Sequence, residues 1–467
     1  MKKYKKKIII SGVLCIFLYI ILGAILPFVN TPQISNEITL ELSSSQNTGN
    51  ERARIIEDNG EALQQRIRLI SQAKETIRMS TYEFRSDESG KDLLASLIDA
   101  AHRGVDVKVI VDGVGELTRM KNNDYFIALS SLENAQIKIY NPIHLGKPWN
   151  LNARMHDKYL MIDDKAYVLG GRNSYDYFLG QHNGYKNYDW DVLVYQEHES
   201  ESSSLEELKE YFGSVWKLPV SKLYEDDAKK QKNEKVRQVT HELNQRYQKL
   251  QQQKWFRPVD YKSITLLTKD IDIISNPIHC SIKEPIVFHT ITEYMLQANK
   301  EVVFHTPYII ADKYMMERIE KVCKKVPKVM MMTNSVANNG NPFGAMDYQK
   351  NKEKILKTGL NILEYDGGIS YHGKCLTIDD HISMIGSFNF DMRSTYINTE
   401  IMVAIDSQEV NASLKEKMKI YEKDALVVQD KDTYRLKENQ VIQEMSVMRK
   451  IQLFFLQFFL GWLRFLM

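Results

Sequence analysis

One pattern occurs twice in this chain and constrains its fold more than any other feature. The first copy reads Met155-His156-Asp157-Lys158-Tyr159-Leu160-Met161-Ile162-Asp163, continuing to Gly170-Gly171-Arg172-Asn173. The second reads Tyr371-His372-Gly373-Lys374-Cys375-Leu376-Thr377-Ile378-Asp379, continuing to Gly386-Ser387-Phe388-Asn389. Both have the form His-x-Lys-x4-Asp-x6-Gly-[Gly/Ser]-x-Asn. Weaker echoes surround them. Ala73-Lys74-Glu75 leading to Tyr82 returns 226 residues later as Asn299-Lys300-Glu301 leading to Tyr308. Residues 136–140 return as residues 360–365. The chain is an internal duplication at domain scale, so it must fold as two like halves.

The local patterns indicate what each half contains. Leu63, Ile67 and Ile70 stand at i, i+4 and i+7, which predicts a helix over residues 61–73. Residues 76–84 read as strand, 93–101 as a helix ending near Gly104, and 105–112 and 137–140 as strands. In the second half, residues 284–298 match the helix at 61–73. Strands alternating with helices imply an α/β class with a largely parallel sheet. Between the copies, residues 205–212 and 222–254 are charged and Gln-rich and read as solvated helices. The expected layout is a membrane anchor at 1–30, a tether at 31–60, domains at 61–220 and 256–430, a helical connector at 221–255 and a tail at 431–467.

Both ends of the chain point to a membrane. Lys2, Lys3, Lys5, Lys6 and Lys7 precede an apolar run over residues 8–29. As a helix it would extend about 33 Å, enough for a hydrocarbon core of about 30 Å. The lysines place the start of the chain in the cytoplasm and the body outside; a cleaved signal peptide would give the same side. Residues 451–467 are rich in Phe and Leu, with Arg449, Lys450 and Arg464 flanking or interrupting them. That segment is short for a span and suits an interfacial helix; a helix docked on the core is the alternative. The balance of 62 basic against 60 acidic residues does not favour a nucleic-acid surface. The four cysteines lack metal-ligand spacing.

The repeated motif also implies chemistry. His and Lys at i and i+2 share one face of a strand. The Asp then turns the chain, and the Gly-[Gly/Ser]-x-Asn end brings small residues and an amide back to that face. His156, Lys158 and Asn173 from one half, with His372, Lys374 and Asn389 from the other, suit a phosphodiester. The lysines and amides would hold the non-bridging oxygens and favour the charge of a pentavalent transition state. One histidine can attack phosphorus while the other moves the proton of the leaving or entering oxygen. No acidic cluster of the two-metal kind accompanies them, so the expected chemistry needs no metal and no cofactor. Each histidine needs a carboxylate to fix its tautomer. Spacing assigns Glu400 to His372 and Asp191 to His156. Asp163 and Asp379 are assigned to the hairpin, at the edge of the catalytic set.

These motifs resemble the phospholipase D superfamily, and their combination is similar to bacterial cardiolipin synthases with two motifs in one polypeptide. Residues 386–394, Asn398-Thr399-Glu400, Thr306-Pro307-Tyr308 and Thr333-Asn334-Ser335 carry the resemblance as well. It implies duplicated phospholipase D-like domains with mixed sheets and flanking helices, the two halves sharing one active site. It also implies that His156 attacks and His372 is the acid and base. The reaction implied is phosphatidyl transfer from phosphatidylglycerol, or phosphatidylethanolamine, to phosphatidylglycerol, with water as competing acceptor. The partners expected are phospholipids and the membrane, not nucleic acid, and a protein partner is left open. Hydrolysis to phosphatidic acid, a tethered nuclease or phosphodiesterase, and a non-enzymatic scaffold are the other readings. A scaffold would have no use for duplicated His/Lys pairs.

Overall fold

The computed structural model describes residues 2–35, 50–224 and 233–467. The central tether residues 36–49 and the connector acids Glu225, Asp226 and Asp227 lie outside them. Lys2–Ile25 forms one apolar helix, and 4–28 is long and apolar enough to cross a membrane. Pro27 turns the chain at Leu26–Phe28, and Phe28 is buried in the apolar core of the second half.

Each half is built on a nine-stranded sheet. In the first, Thr76–Thr81, Asp106–Asp112 and Ala135–Tyr140 run parallel toward one edge. In the second, Glu301–His305, Lys328–Asn334 and Asn361–Tyr365 do the same. The sheets are mixed rather than largely parallel, for a local reason. Tyr159–Ile162 and Ala166–Gly170 are joined by three residues, as are Cys375–Ile378 and Ile382–Gly386. A connection that short can only return the chain antiparallel. Asp191–Gln196 and Ile401–Asp406 then add antiparallel beside the second hairpin strand of each half.

Period-two patterning decides what each sheet face covers. In Asp191–Gln196, Leu193 packs under the helices of its own half, while Val192 and Val194 enter a third core between the halves. That core joins Tyr159 and Trp190 of the first half to Met332, Tyr371 and Val403 of the second. Helices such as Asn59–Gln72 and Glu88–His102 cover the outer face of the first sheet, capped by Asp58 and Asp87.

Several segments differ from their sequence expectation. Glu51–Ile56, inside the expected tether, is a strand paired with Asp191–Gln196; Ala53 and Ile55 alternate with Arg52 and Arg54 and supply its buried face. In the connector, Ser221–Leu223 is an edge strand of the first sheet. Glu234–Gln251 is amphipathic rather than solvated, burying Val236, Leu243, Tyr247 and Leu250 in the first core. Val447–Leu460 lies beside the helix Pro342–Leu356, with Leu453 buried and Arg464 paired to Asp347 at 2.8 Å. Its other side leaves Phe454, Phe455, Phe458 and Phe459 exposed, and Trp462 in the following Gly461–Leu466 turn is exposed as well.

Candidate active site

The two histidines meet where the halves are stitched together. Met155 bridges Thr399 in parallel, with the His156 N–H donating to the Thr399 carbonyl and the Thr399 N–H to that of Arg154. The second stitch repeats the first. Tyr371 pairs in parallel with Tyr188, and the His372 N–H donates to the Tyr188 carbonyl. In both, the residue before the histidine pairs with the residue before an acid of the other half. The register therefore crosses the acids. Glu400 follows Thr399 and lies 3.0 Å from Nδ1 of His156. Asp189 follows Tyr188 and lies 2.6 Å from Nδ1 of His372.

This crossing corrects both sequence assignments of an acid to a histidine. Glu400 serves His156, not His372. Asp191 reaches neither histidine; it is buried between Arg66 at 2.7 Å and Arg172 at 3.3 Å. The sheet register explains the slip. Gly170 pairs with Asp191, and Gly386 pairs with Met402. Asp191 is thus the counterpart of Met402, and Asp189 that of Glu400. Aligning Asp189-Trp190-Asp191-Val192 with Glu400-Ile401-Met402-Val403 would have found it. Gly171 makes room for the new partner, because a Cβ there would stand 2.3 Å from Asp189 Oδ1.

Both lysines are buried and reach back into the site. Lys158 Nζ donates to the His156 carbonyl at 2.5 Å. Lys374 Nζ donates to the His372 carbonyl, and it lies 2.6 Å from His372 Nδ1 and 3.7 Å from Asp189. One Nδ1 cannot both donate to Asp189 and accept from Lys374. A buried anionic carboxylate is the stronger claimant of the proton, which leaves Nε2 as the basic nitrogen of His372. Burial lowers Lys158 to about 7 and Lys374 to about 8, and each lysine lies near enough to Glu400 and Asp189 to be partly held up by them.

The acids differ in state. Burial pushes Glu400 up to about 7, against the pull of Lys158 and of hydroxyls donated by Ser387 at 2.5 Å and Ser394 at 2.7 Å. Burial would also raise Asp189, but Lys374, His372 and Arg172 outweigh it and hold that carboxyl below its ordinary value. His156 is driven well below the usual imidazole value by burial and then by Lys158 and Lys374. His372 falls to about 4, again by burial and Lys374. An edge-on Tyr82 ring flanks His156 at 5.6 Å, and Phe178 flanks His372 at 5.0 Å.

The remaining expected residues divide. Asn389 donates to the Tyr308 hydroxyl at 3.2 Å and leaves its Oδ1 buried without a partner. Asn173 Oδ1 accepts the Glu83 N–H at 3.3 Å. Asp163 and Asp379 do not face the histidines. Each sits in the left-handed region, at φ 46° and 47°, a conformation Asp tolerates in tight turns. Each caps the backbone at the mouth of a parallel strand: Asp163 accepts from the N–H groups of Lys74, Glu75 and Thr76, Asp379 from those of Asn299, Lys300 and Glu301. Sequence reasoning missed Asp157, which accepts from Thr399 at 2.9 Å and Tyr211 at 2.8 Å and is raised by burial to about 7.

A duplicated α/β fold with a His, Lys and carboxylate from each repeat at one interface defines a class of protein. The family described as cardiolipin synthase, PLD-like domain, matches residues 66–216 and again 291–421, and the chain belongs to it. It is 24% identical over 396 residues to cardiolipin synthase C of Escherichia coli strain K12, covering 76% of this chain and 81% of that one. It is 27% identical over 368 residues to a cardiolipin synthase of Clostridium perfringens strain SM101, covering 77% and 68%. An uncharacterized protein of Helicobacter pylori strain 26695 is 27% identical over 418 residues, covering 79% and 80%. Among solved structures, phosphatidylserine synthase of Haemophilus influenzae shares the fold with a TM-score of 0.63 at 15% identity, covering 89% of this chain and 95% of that one.

Proposed function

We propose that the chain is a membrane-anchored phosphatidyltransferase of the cardiolipin synthase kind. The observation that carries this reading is the pair of crossed histidine–carboxylate contacts above two buried lysines. The apolar helix 4–28 and the aromatic face of Val447–Leu460 favour a phospholipid over a soluble phosphodiester.

In this reading His156 Nε2 attacks the phosphorus of phosphatidylglycerol. A phosphorus–nitrogen bond forms, and the bond to the glycerol headgroup oxygen breaks. His372 enters this step as the imidazolium, protonated on Nε2 when the anionic phosphodiester binds beside it; it gives that proton to the leaving oxygen, and glycerol leaves. The headgroup hydroxyl of a second phosphatidylglycerol then gives its proton to His372 and attacks phosphorus. The phosphorus–nitrogen bond breaks, giving cardiolipin and free His156. Asp189, held ionised, supports this division because it stabilises the imidazolium that forms at His372. The lysines and Asn389 hold the non-bridging oxygens. Phosphatidylethanolamine could supply the same phosphatidyl group. Lys5, Lys6 and Lys7 favour a body on the extracytoplasmic side.

The test is product analysis of purified protein in mixed micelles of detergent and phosphatidylglycerol, beside His156→Ala. Cardiolipin plus glycerol, absent from the variant, is the expected result. Phosphatidic acid without cardiolipin would replace transfer by hydrolysis.

A further inference from the structure

A cavity of about 330 Å³ opens beside the site, walled by Tyr308, Ile310 and Phe343 on one side and Leu460, Leu463 and Leu466 on the other. Its polar end touches the reacting centre, since the Tyr308 hydroxyl accepts from Asn389. Its apolar wall belongs to the segment whose outer side carries the exposed Phe and Trp side chains. Arg393 fastens that wall in place. Its backbone N–H donates to the Met467 carbonyl and its Nε to that of Leu466, both at 2.8 Å. Its Nη1 donates to the Asn152 carbonyl at 2.9 Å, and Asn152 in turn donates to the Ala24 carbonyl at 2.6 Å. The end of the apolar helix, the loop leading to His156 and the apolar wall are therefore linked through Arg393 and Asn152.

We propose that this cavity takes an acyl chain of the phospholipid whose phosphodiester lies at His156 and His372. A mostly apolar slot, with Asn341, Asp391 and Arg393 as its charged or amide members and Tyr308 joining it to Asn389, matches a lipid entering tail-last from a bilayer. That bilayer would be touched both by the helix 4–28 and by the aromatic side of Val447–Leu460. The segment 447–467 thereby selects substrate as well as binding membrane. This assignment rests on the phospholipid reading above.

The experiment uses the full chain in mixed micelles with phosphatidylglycerol carrying a diazirine at the end of one acyl chain. After irradiation, label on peptides containing Ile310, Phe343 or residues 460–467 is expected; label confined to residues 4–28 overturns the assignment. In parallel, Leu463→Trp fills the slot. The ratio of dioleoyl- to dihexanoyl-phosphatidylglycerol turnover should fall at least tenfold, and an unmoved ratio overturns the proposal. Wild-type protein separates the two failures. If it cleaves bis(4-nitrophenyl) phosphate and neither lipid, the phospholipid reading falls and the slot's occupant with it. If it turns over both lipids while label and ratio fail, only the slot falls.

Discussion

The two histidine sites are copies in backbone and differ in the state of their acids. In each, a parallel bridge between halves sets the histidine beside the acid of the other half. Around His156 stand two carboxyls, Glu400 and Asp157, each raised to about 7. Around His372 stands one, Asp189, held low by Lys374 and its neighbours. The residue between His and Lys reflects this. In the first copy it is Asp157, tied to Thr399 and Tyr211. In the second it is Gly373, where a Cβ would stand 2.4 Å from the Trp190 indole. Trp190 in turn donates to the Tyr371 hydroxyl at 2.5 Å. Duplication supplied the geometry, and divergence of a few neighbours separated the electrostatics, which is what two histidines with different tasks require.

Removing each histidine tests that separation most directly. His156→Ala and His372→Ala should each lower lipid turnover by about 10³-fold or more. They should diverge on a substrate with a 4-nitrophenolate leaving group, which needs no protonation. His372→Ala should regain much of the first step there, seen as a burst of nitrophenolate, and His156→Ala should not. Equal behaviour of the two variants would restore the symmetry. The acids come next. Asp189→Asn should cost about 10²–10⁴-fold in kcat, because an amide can hold His372 in the wrong tautomer. Burial raises Glu400 to about 7, so it carries less of its charge at neutral pH than Asp189 does, and Glu400→Gln should cost less, about tenfold. Equal losses would contradict the difference in their charge.

The pH profile gives a smaller effect with a definite sign. Lys158 and Lys374 are cations below about 7 and about 8 respectively. Their joint charge for phosphate is complete below that range and is lost as pH rises through it. For the free enzyme, kcat/KM should fall about tenfold between pH 7 and 8 and further above it. A profile flat to pH 10 would mean that the lysines titrate at their ordinary values.

Much of this was legible in the sequence, and the errors have separate physical causes. Two halves, the His and Lys of each, and the Asp turns follow from local spacing, since strand period and tight turns are local properties. The acid partners do not. His156 and Glu400 are 244 residues apart and meet through a bridge between sheets that no period along the chain announces. The Tyr-rich loop over residues 176–186 also lengthens the first copy, so spacing counted from the histidine slid from Asp189 to Asp191. The strand Glu51–Ile56 was hidden by its polar approach, although its own alternation was present. In Glu234–Gln251, the high charge masked a one-sided apolar stripe.

Asp191 gives the smallest effect on chemistry and the sharpest check on the register. It is fully buried with Arg66 and Arg172, two guanidinium groups that lose their shared anion if it is removed. Breaking such a buried pair costs about 3–5 kcal/mol. Asp191→Asn should therefore lower the thermal unfolding midpoint clearly, while the turnover of the folded fraction stays within about threefold. Replacing Arg66 by Met in the same protein should recover part of the lost stability, since one unpaired charge is then gone from the interior. Asp189→Asn should show the reverse balance, with turnover falling much further than stability. If Asp191→Asn instead lost turnover by more than about 100-fold at an unchanged midpoint, the acid two residues further along the strand would return to the chemistry. The crossed pairing would then have to give way to acids that serve the histidine of their own half.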